Sequence, residues 1–288
     1  MRYCHKNQGF GFAEPFFQKR VLLMSQMLSL IPVLLAALAA GILLPVLLRK
    51  KLKKPVAVLI GVGAFLLVTA GGMLVYLNIH YSAEPAAVQA FAESDGVTVT
   101  ETADSYFFDG SGQDSALIFY GGAKVDCEAY APLMHTLAQN GVDCFLLKLP
   151  FRMALMDSNA AQKVMDSHAY PRWYLGGHSM GGVAASVFTT AHPAEVKGLV
   201  LLASYPTAKI DDPVALLTVY GSEDKVLNRE QYENARQYFP ADTREVVIDG
   251  GNHAGFGNYG KQDGDGEATV SPEEQQRRTA REILALCR

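Results

Sequence analysis

The sequence predicts an α/β protein: a mainly parallel sheet with helices on both faces and no large cap, preceded by two transmembrane helices. Three observations carry that expectation. Two long uncharged runs open the chain, Val21 to Leu48 with 28 residues and Val56 to Tyr81 with 26. From residue 96 onward, short continuously apolar runs alternate with helical patterns, as in a sheet covered on both sides. Several of those runs end in glycines or acidic turns, and parallel sheets carry their reacting groups at such carboxyl ends.

Composition agrees with a globular domain plus an appendage. Of 288 residues 49% are hydrophobic and 19% charged, with only four cysteines, which excludes a disordered, collagenous or disulfide-framed chain. Charge is divided unevenly. Residues 1–81 hold nine Lys/Arg and one acid, and the remainder holds 16 basic and 28 acidic residues. No nucleic-acid partner is expected for the larger part, because phosphates need a basic surface.

Each uncharged run exceeds the roughly 20 residues needed to cross a hydrocarbon core of about 30 Å. Five cations within residues 49–54 separate them, so residues 21–81 read as a membrane hairpin around a basic turn, after a tail at 1–20. Cations beside spans stay in the cytoplasm, which makes the protein a two-pass cell-membrane protein with both ends outside. Lys19 and Arg20 conflict with that orientation; translation starting at Met24 or Met27 would remove them. A cleaved signal peptide and a buried soluble hairpin are the competing readings, and both fit two spans of this length poorly.

A linker is expected over 82–95 and the second domain over 96–288. Val97 to Thr102 and Tyr106 to Phe108 read as an antiparallel pair, and Ala116 to Tyr120 as a buried strand. A helix with Asp126 as N-cap and Tyr130, Leu133, Met134 and Leu137 on one face follows. Further strands are expected at Cys144–Leu149, Trp173–Gly176, Gly198–Ala203, Ala215–Tyr220 and Arg244–Ile248. Ser271-Pro272-Glu273-Glu274 opens the last helix with a cap, a first-turn proline and a capping-box glutamate.

The chemistry centres on Gly177-His178-Ser179-Met180-Gly181, at the junction of a strand and a helix. A serine on so sharp a turn needs small residues two positions away on each side, and the helix start offers N–H groups to a developing oxyanion. A serine hydroxyl needs a base and the base needs an orienting acid. Post-strand loops supply both in the order Ser179, Asp224, His253, with Glu223 as a rival acid. The glycines of Tyr120-Gly121-Gly122-Ala123-Lys124 let backbone approach a substrate, so the N–H groups of Ala123 and Met180 are the expected oxyanion donors.

These residues resemble the α/β-hydrolase superfamily, and within it the compact bacterial group related to dienelactone hydrolases. The resemblance spans about residues 96–288 and rests on Phe119 through Asp126, Asp157 through Gln162, Trp173 through Gly182, Gly221 through Asp224 and Gly250 through Phe256. It implies nucleophile, acid and base at Ser179, Asp224 and His253, and it does not name a substrate. Two departures stand out: Tyr120-Gly121-Gly122 where His-Gly is common, and Cys127 where proline is expected.

The expected activity is that of a membrane-anchored, carboxylesterase-like serine hydrolase working through an acyl-serine intermediate without cofactor or metal. Its substrate would be a small acyl ester. Tyr120, Gly122, Lys124 and Phe256 are the expected substrate contacts, with Tyr259, Phe151 and Tyr205 as further walls. Tyr205 to Asp212 is too short for a cap. An acyltransferase or thioesterase on the same triad, and a catalytically silent binding domain, are the alternatives. His178 reads as structural, and His135, His168 and His192 as surface residues. Gly255 to Gly260 matches a dinucleotide fingerprint but opens no helix, and Asp263 and Asp265 read as a solvated turn rather than a calcium loop. No cluster has zinc-ligand spacing. Cys127 and Cys144 are expected to be free thiols, with Cys4 and Cys287 unpaired; Lys124 and Arg152 read equally as anion contacts or solvated cations.

Overall fold

A computed structural model describes residues 14–92 and 94–288, with side-chain surroundings from residue 31. Cys4 lies outside the described residues, as do the side chains of Lys19 and Arg20. The chain divides into two compact units between Ile79 and His80.

The first unit contains helix α1 (Glu14–Leu48) and helix α2 (Lys54–Asn78), joined through the basic turn. Helix α1 starts seven residues before the uncharged run, since Glu14-Pro15 is a favourable helix start and nothing up to Arg20 breaks a helix. Pro32 and Pro45 lie inside it. Ile31–Leu48 and Lys54–Asn78, with mean hydropathies of 2.6 and 2.4, are long and apolar enough to cross a membrane. The two helices pack closely where side chains vanish: a Cβ on Gly61 would stand 2.5 Å from the Gly41 carbonyl oxygen.

The second unit is built on one eight-stranded sheet. Helix α3 (Pro85–Gln89) comes first, then β1 (Thr98–Glu101), β2 (Ser105–Asp109), β3 (Ser115–Tyr120), α4 (Ala131–Gln139), β4 (Asp143–Leu147), α5 (Ala160–Ser167), β5 (Arg172–His178), α6 (Met180–Ala191), β6 (Val196–Leu202), β7 (Ala215–Gly221), α7 (Arg229–Ala235), β8 (Thr243–Ile248) and α8 (Pro272–Cys287). The spatial order is β1-β2-β4-β3-β5-β6-β7-β8. β1–β2 and β2–β4 are antiparallel and every other pair is parallel. No helix interrupts the chain between β6 and β7.

Alternation along β3 divides the core. Leu117 and Phe119 join Leu133, Met134 and Leu137 of α4 and Ile283 of α8 on one face. Ala116, Ile118 and Tyr120 join Val164 of α5 and Phe188 of α6 on the other. At the start of α8, Ser271 Oγ accepts the Glu274 N–H at 3.3 Å, as its capping sequence requires.

Several expectations change. The segment 82–95 is no free linker: α3 buries Ala87, and Phe91 packs against the core. Asp126 caps nothing. The chain beyond it opens as a 3₁₀ turn (Cys127–Tyr130), and the carboxylate instead holds Arg152 Nε at 2.5 Å and the Ala83 N–H at 3.3 Å. Two helices join those named from the sequence: α5, which buries Ala160, Ala161 and Val164, and α7, which buries Tyr232 and Ala235. His135, His168 and His192 are half-buried, with partners in Ser94, Phe145 and Glu195. Cys127, Cys144 and Cys287 are free thiols, which agrees with the expectation.

Candidate active site

Ser179 occupies φ 53°, ψ −123°, a conformation that a side chain adopts only under constraint. β5 ends at His178 and α6 begins at Met180, so the chain turns within one residue. Neighbouring backbone holds the turn. The Ser179 N–H donates to the Leu202 carbonyl at 2.9 Å, and Ser204 Oγ donates to the Ser179 carbonyl at 2.7 Å. The flanking glycines are sites of close approach. A Cβ on Gly177 would come within 2.4 Å of Gly181 backbone, and one on Gly181 within 2.2 Å of the Tyr120 carbonyl oxygen. Gly181→Ala is therefore expected to cost about 1–3 kcal/mol of overpacking. Calorimetry should show a Tm lower by roughly 2–10 °C.

The acid and base lie on the loops after β7 and β8. His253 Nδ1 and Asp224 Oδ2 are 2.9 Å apart, with side chains 2% and 0% exposed. Asp224 Oδ1 accepts the N–H groups of Val226 at 2.9 Å and Leu227 at 2.8 Å, which leaves Oδ2 for the imidazole. Burial favours the protonated carboxyl, but His253 and those hydrogen bonds outweigh it and hold Asp224 below its ordinary range. Glu223 accepts from Ser222 Oγ at 3.0 Å and is half-buried, so Asp224 is the acid brought to the histidine. His253 Nε2 is buried with no hydrogen-bond partner. The ring of His178, the residue before Ser179, lies 4.6 Å from that of His253, and no hydrogen bond joins His253 Nε2 to Ser179 among the described residues.

Two residues with no local sequence signal brace the base. Gln275 of α8, fully buried, accepts the Asn252 N–H at 3.0 Å and donates to the Asn252 carbonyl at 2.8 Å. Asp265 accepts the Ala254 N–H at 2.9 Å and the Lys225 N–H at 3.4 Å, tying the acid's loop to the base's. Half-buried and bonded, Asp265 is not the solvated turn its spacing suggested.

Near the turn, the Gly122 N–H donates to Tyr130 Oη at 3.0 Å and the Lys124 N–H to the Arg152 carbonyl at 2.9 Å. Between them, the Ala123 N–H makes no hydrogen bond among the described residues, and neither does the Met180 N–H. Gly181 packs on the Tyr120 and Gly121 carbonyls, which brings the start of α6 onto this loop.

Two expected substrate contacts fail. Tyr120 is fully buried on the α5–α6 face, where its hydroxyl donates to the Ser158 carbonyl at 2.9 Å and accepts the Ala161 N–H at 3.0 Å. Phe256 is also fully buried and packs 5.7 Å from the His178 ring, and Tyr259 is 5% exposed, so neither forms an open wall. Phe151 is 38% exposed and Tyr205 half-buried. Lys124 is half-buried at φ 58°. Gly122 lines a cavity of about 520 Å³ together with Gly121, Val125, Leu147, Leu149 and Arg152. That cavity stands beside the Ser179 turn, sharing the Gly121–Gly122 wall rather than opening over the serine. Cys127 also lines it, but burial and Glu128 push its thiol up, away from the reactive thiolate.

Sequence comparison decides the family: the model of the alpha/beta hydrolase family matches residues 116–277. The chain belongs to that family. This α/β-hydrolase is similar in fold to a predicted CIB-like hydrolase from Thermoplasma acidophilum, with 16% identity and a TM-score of 0.51 over 66% of this chain and 100% of that one. It is similar to a dienelactone hydrolase from Anabaena variabilis, with 14% identity and a TM-score of 0.50 over 67% and 100%. A putative hydrolase from Agrobacterium vitis gives 15% identity and a TM-score of 0.50 over 67% and 98%. No curated protein matches the chain. Family and fold support a hydrolase, and at such identities the neighbours speak for fold alone.

Proposed function

We propose that the protein is a membrane-anchored serine hydrolase that cleaves a small ester or related acyl bond. The observation that carries this reading is the buried Asp224–His253 pair, whose outer nitrogen Nε2 has no partner, on a ring 4.6 Å from that of His178, the residue before the constrained Ser179. In the proposed reaction His253 Nε2 takes the Ser179 proton as Oγ attacks the acyl carbonyl. The unpaired N–H groups of Ala123 and Met180 receive the oxyanion. The proton then passes from His253 to the leaving alkoxide, which departs as an alcohol and leaves acyl-Ser179. Water attacks that ester, His253 takes its proton, and release of the acid restores the serine. The Ser179 proton leaves with the alcohol by way of His253, and a proton from water returns to Ser179 by the same route, so the cycle requires no cofactor. Purified full-length protein in detergent should hydrolyse p-nitrophenyl acetate or butyrate, and failure to turn over any short acyl ester would contradict the reading.

Anchoring is the second part of the proposal. Leu47, Leu59 and Leu67 are each at least 70% exposed on α1 and α2, an arrangement suited to lipid and costly in water. With the basic turn at 49–54 in the cytoplasm, residues 80–288 lie outside it. A tag after Arg288 should be reached by protease on intact cells while one inserted at 51 is protected; the reverse pattern would overturn the orientation.

A further inference from the structure

Tyr130 and His178 form a hydrogen-bonded chain that the reaction cycle above does not use. Tyr130 is fully buried and His178 is 1% exposed. Tyr130 Oη takes the Gly122 N–H at 3.0 Å and lies 2.8 Å from His178 Nδ1. A backbone N–H can only donate, so Oη accepts that bond, and His178 Nδ1 is the one other polar atom bonded to it among the described residues. Placing the buried hydroxyl proton on that bond makes His178 Nδ1 the acceptor and puts the ring's own proton on Nε2. That nitrogen is buried without a hydrogen-bond partner, on a ring 4.6 Å from the ring of His253. The chain thus touches three loops: the one carrying Ala123, the turn carrying Ser179, and the one carrying His253.

We infer that Tyr130 and His178 are positioning residues that fix the oxyanion loop relative to the nucleophile and the base. The inference rests on the proposed serine hydrolase reading. Neither side chain is assigned contact with substrate. Tyr130 holds Gly122, so that the next N–H, that of Ala123, stays unpaired and directed. His178 holds Tyr130 and backs the His253 ring. Burial, and after it the neighbouring His253, keep His178 neutral, so the arrangement does not dissolve as imidazoles charge. A buried chain in which the Gly122 N–H and the Tyr130 hydroxyl each have one acceptor gives one geometry, which is what a preorganised oxyanion site requires.

Tyr130→Phe keeps the ring and removes the bridge. The expected result is a kcat lower by about 10- to 100-fold with KM changed less than about threefold, the signature of support lost in the transition state. His178→Asn, which can present an oxygen near the Nδ1 position, should recover most of the activity that His178→Leu loses. Imidazole ¹⁵N spectra of the full-length protein should show His178 as the neutral Nε2–H form in the wild type, with Nδ1–H appearing in Tyr130→Phe. Unchanged kcat in a folded Tyr130→Phe, or a wild-type His178 carrying its proton on Nδ1, would overturn the inference; the second readout needs no variant to fold. If Ser179→Ala is inactive while Tyr130→Phe is fully active, the positioning role fails and the hydrolase reading stands. If Ser179→Ala keeps full activity, the reading itself fails.

Discussion

Ser179→Ala should lower kcat for a short p-nitrophenyl ester by about 10⁵–10⁶-fold, leaving the small rate that oxyanion donors and binding supply alone. Stability should hardly move. No hydrogen bond of the Ser179 side chain exists among the described residues, and the bonds that secure the turn, to Leu202 and from Ser204, are made by its backbone. An alanine at φ 53° carries the same backbone constraint as the serine. Chemical denaturation of the alanine variant should therefore agree with the wild type within about 0.5 kcal/mol. Ser179→Gly separates the two roles further. It is equally inactive, yet it releases a constraint of about 1–3 kcal/mol and should be the more stable protein. A stable, inactive glycine variant is the mark of a turn strained for chemistry.

Asp224→Asn should lower kcat by about 10³–10⁴-fold with little change in KM. An asparagine oxygen can still accept from Val226 and Leu227, so the loop keeps its shape. What changes is the group facing His253 Nδ1: an amide there no longer demands the Nδ1–H tautomer or balances an imidazolium. The carboxylate also makes a pH signature. Its folded proton affinity lies below the ordinary value of 3.8, so the stability it contributes is present above that value and is lost as pH falls through the lower folded one. The stability difference between wild type and Asp224→Asn should thus hold level at neutral pH and narrow on acidification below about 3.8. Urea titrations at several pH values measure it.

The parts of this molecule written in local patterns could be read from the chain. Two uncharged runs around five cations mark the apolar helices. The strands of the sheet are continuous apolar runs. Ser179 announces itself because sharp strand-to-helix turns tolerate only small neighbours, and Gly177 and Gly181 are where backbone meets backbone. Asp224 against Glu223 could not be decided that way. Both follow β7, and which one faces His253 depends on a loop closed by the Asp224 N–H on the Gly221 carbonyl. Tyr120 misled for a related reason. Its position at a strand's carboxyl end suggests the mouth of the site, but alternation along β3 puts it with Ala116 and Ile118, under α5 and α6. Gln275 and Asp265 act on backbone 23 and 11 residues away, and the Tyr130–His178 bond spans 48. Side chains that work across the fold leave no periodicity behind.

The central claim is that Ser179 is a nucleophile made reactive by His253. Treating the full-length protein with a fluorophosphonate and mapping the adduct by peptide mass spectrometry tests it most directly. One phosphonylated residue, Ser179, is expected, with labelling abolished in Ser179→Ala and slowed at least a hundredfold in His253→Ala. An unlabelled Ser179 in protein that turns over esters, or labelling as fast without His253 as with it, would contradict a His253-activated Ser179 nucleophile.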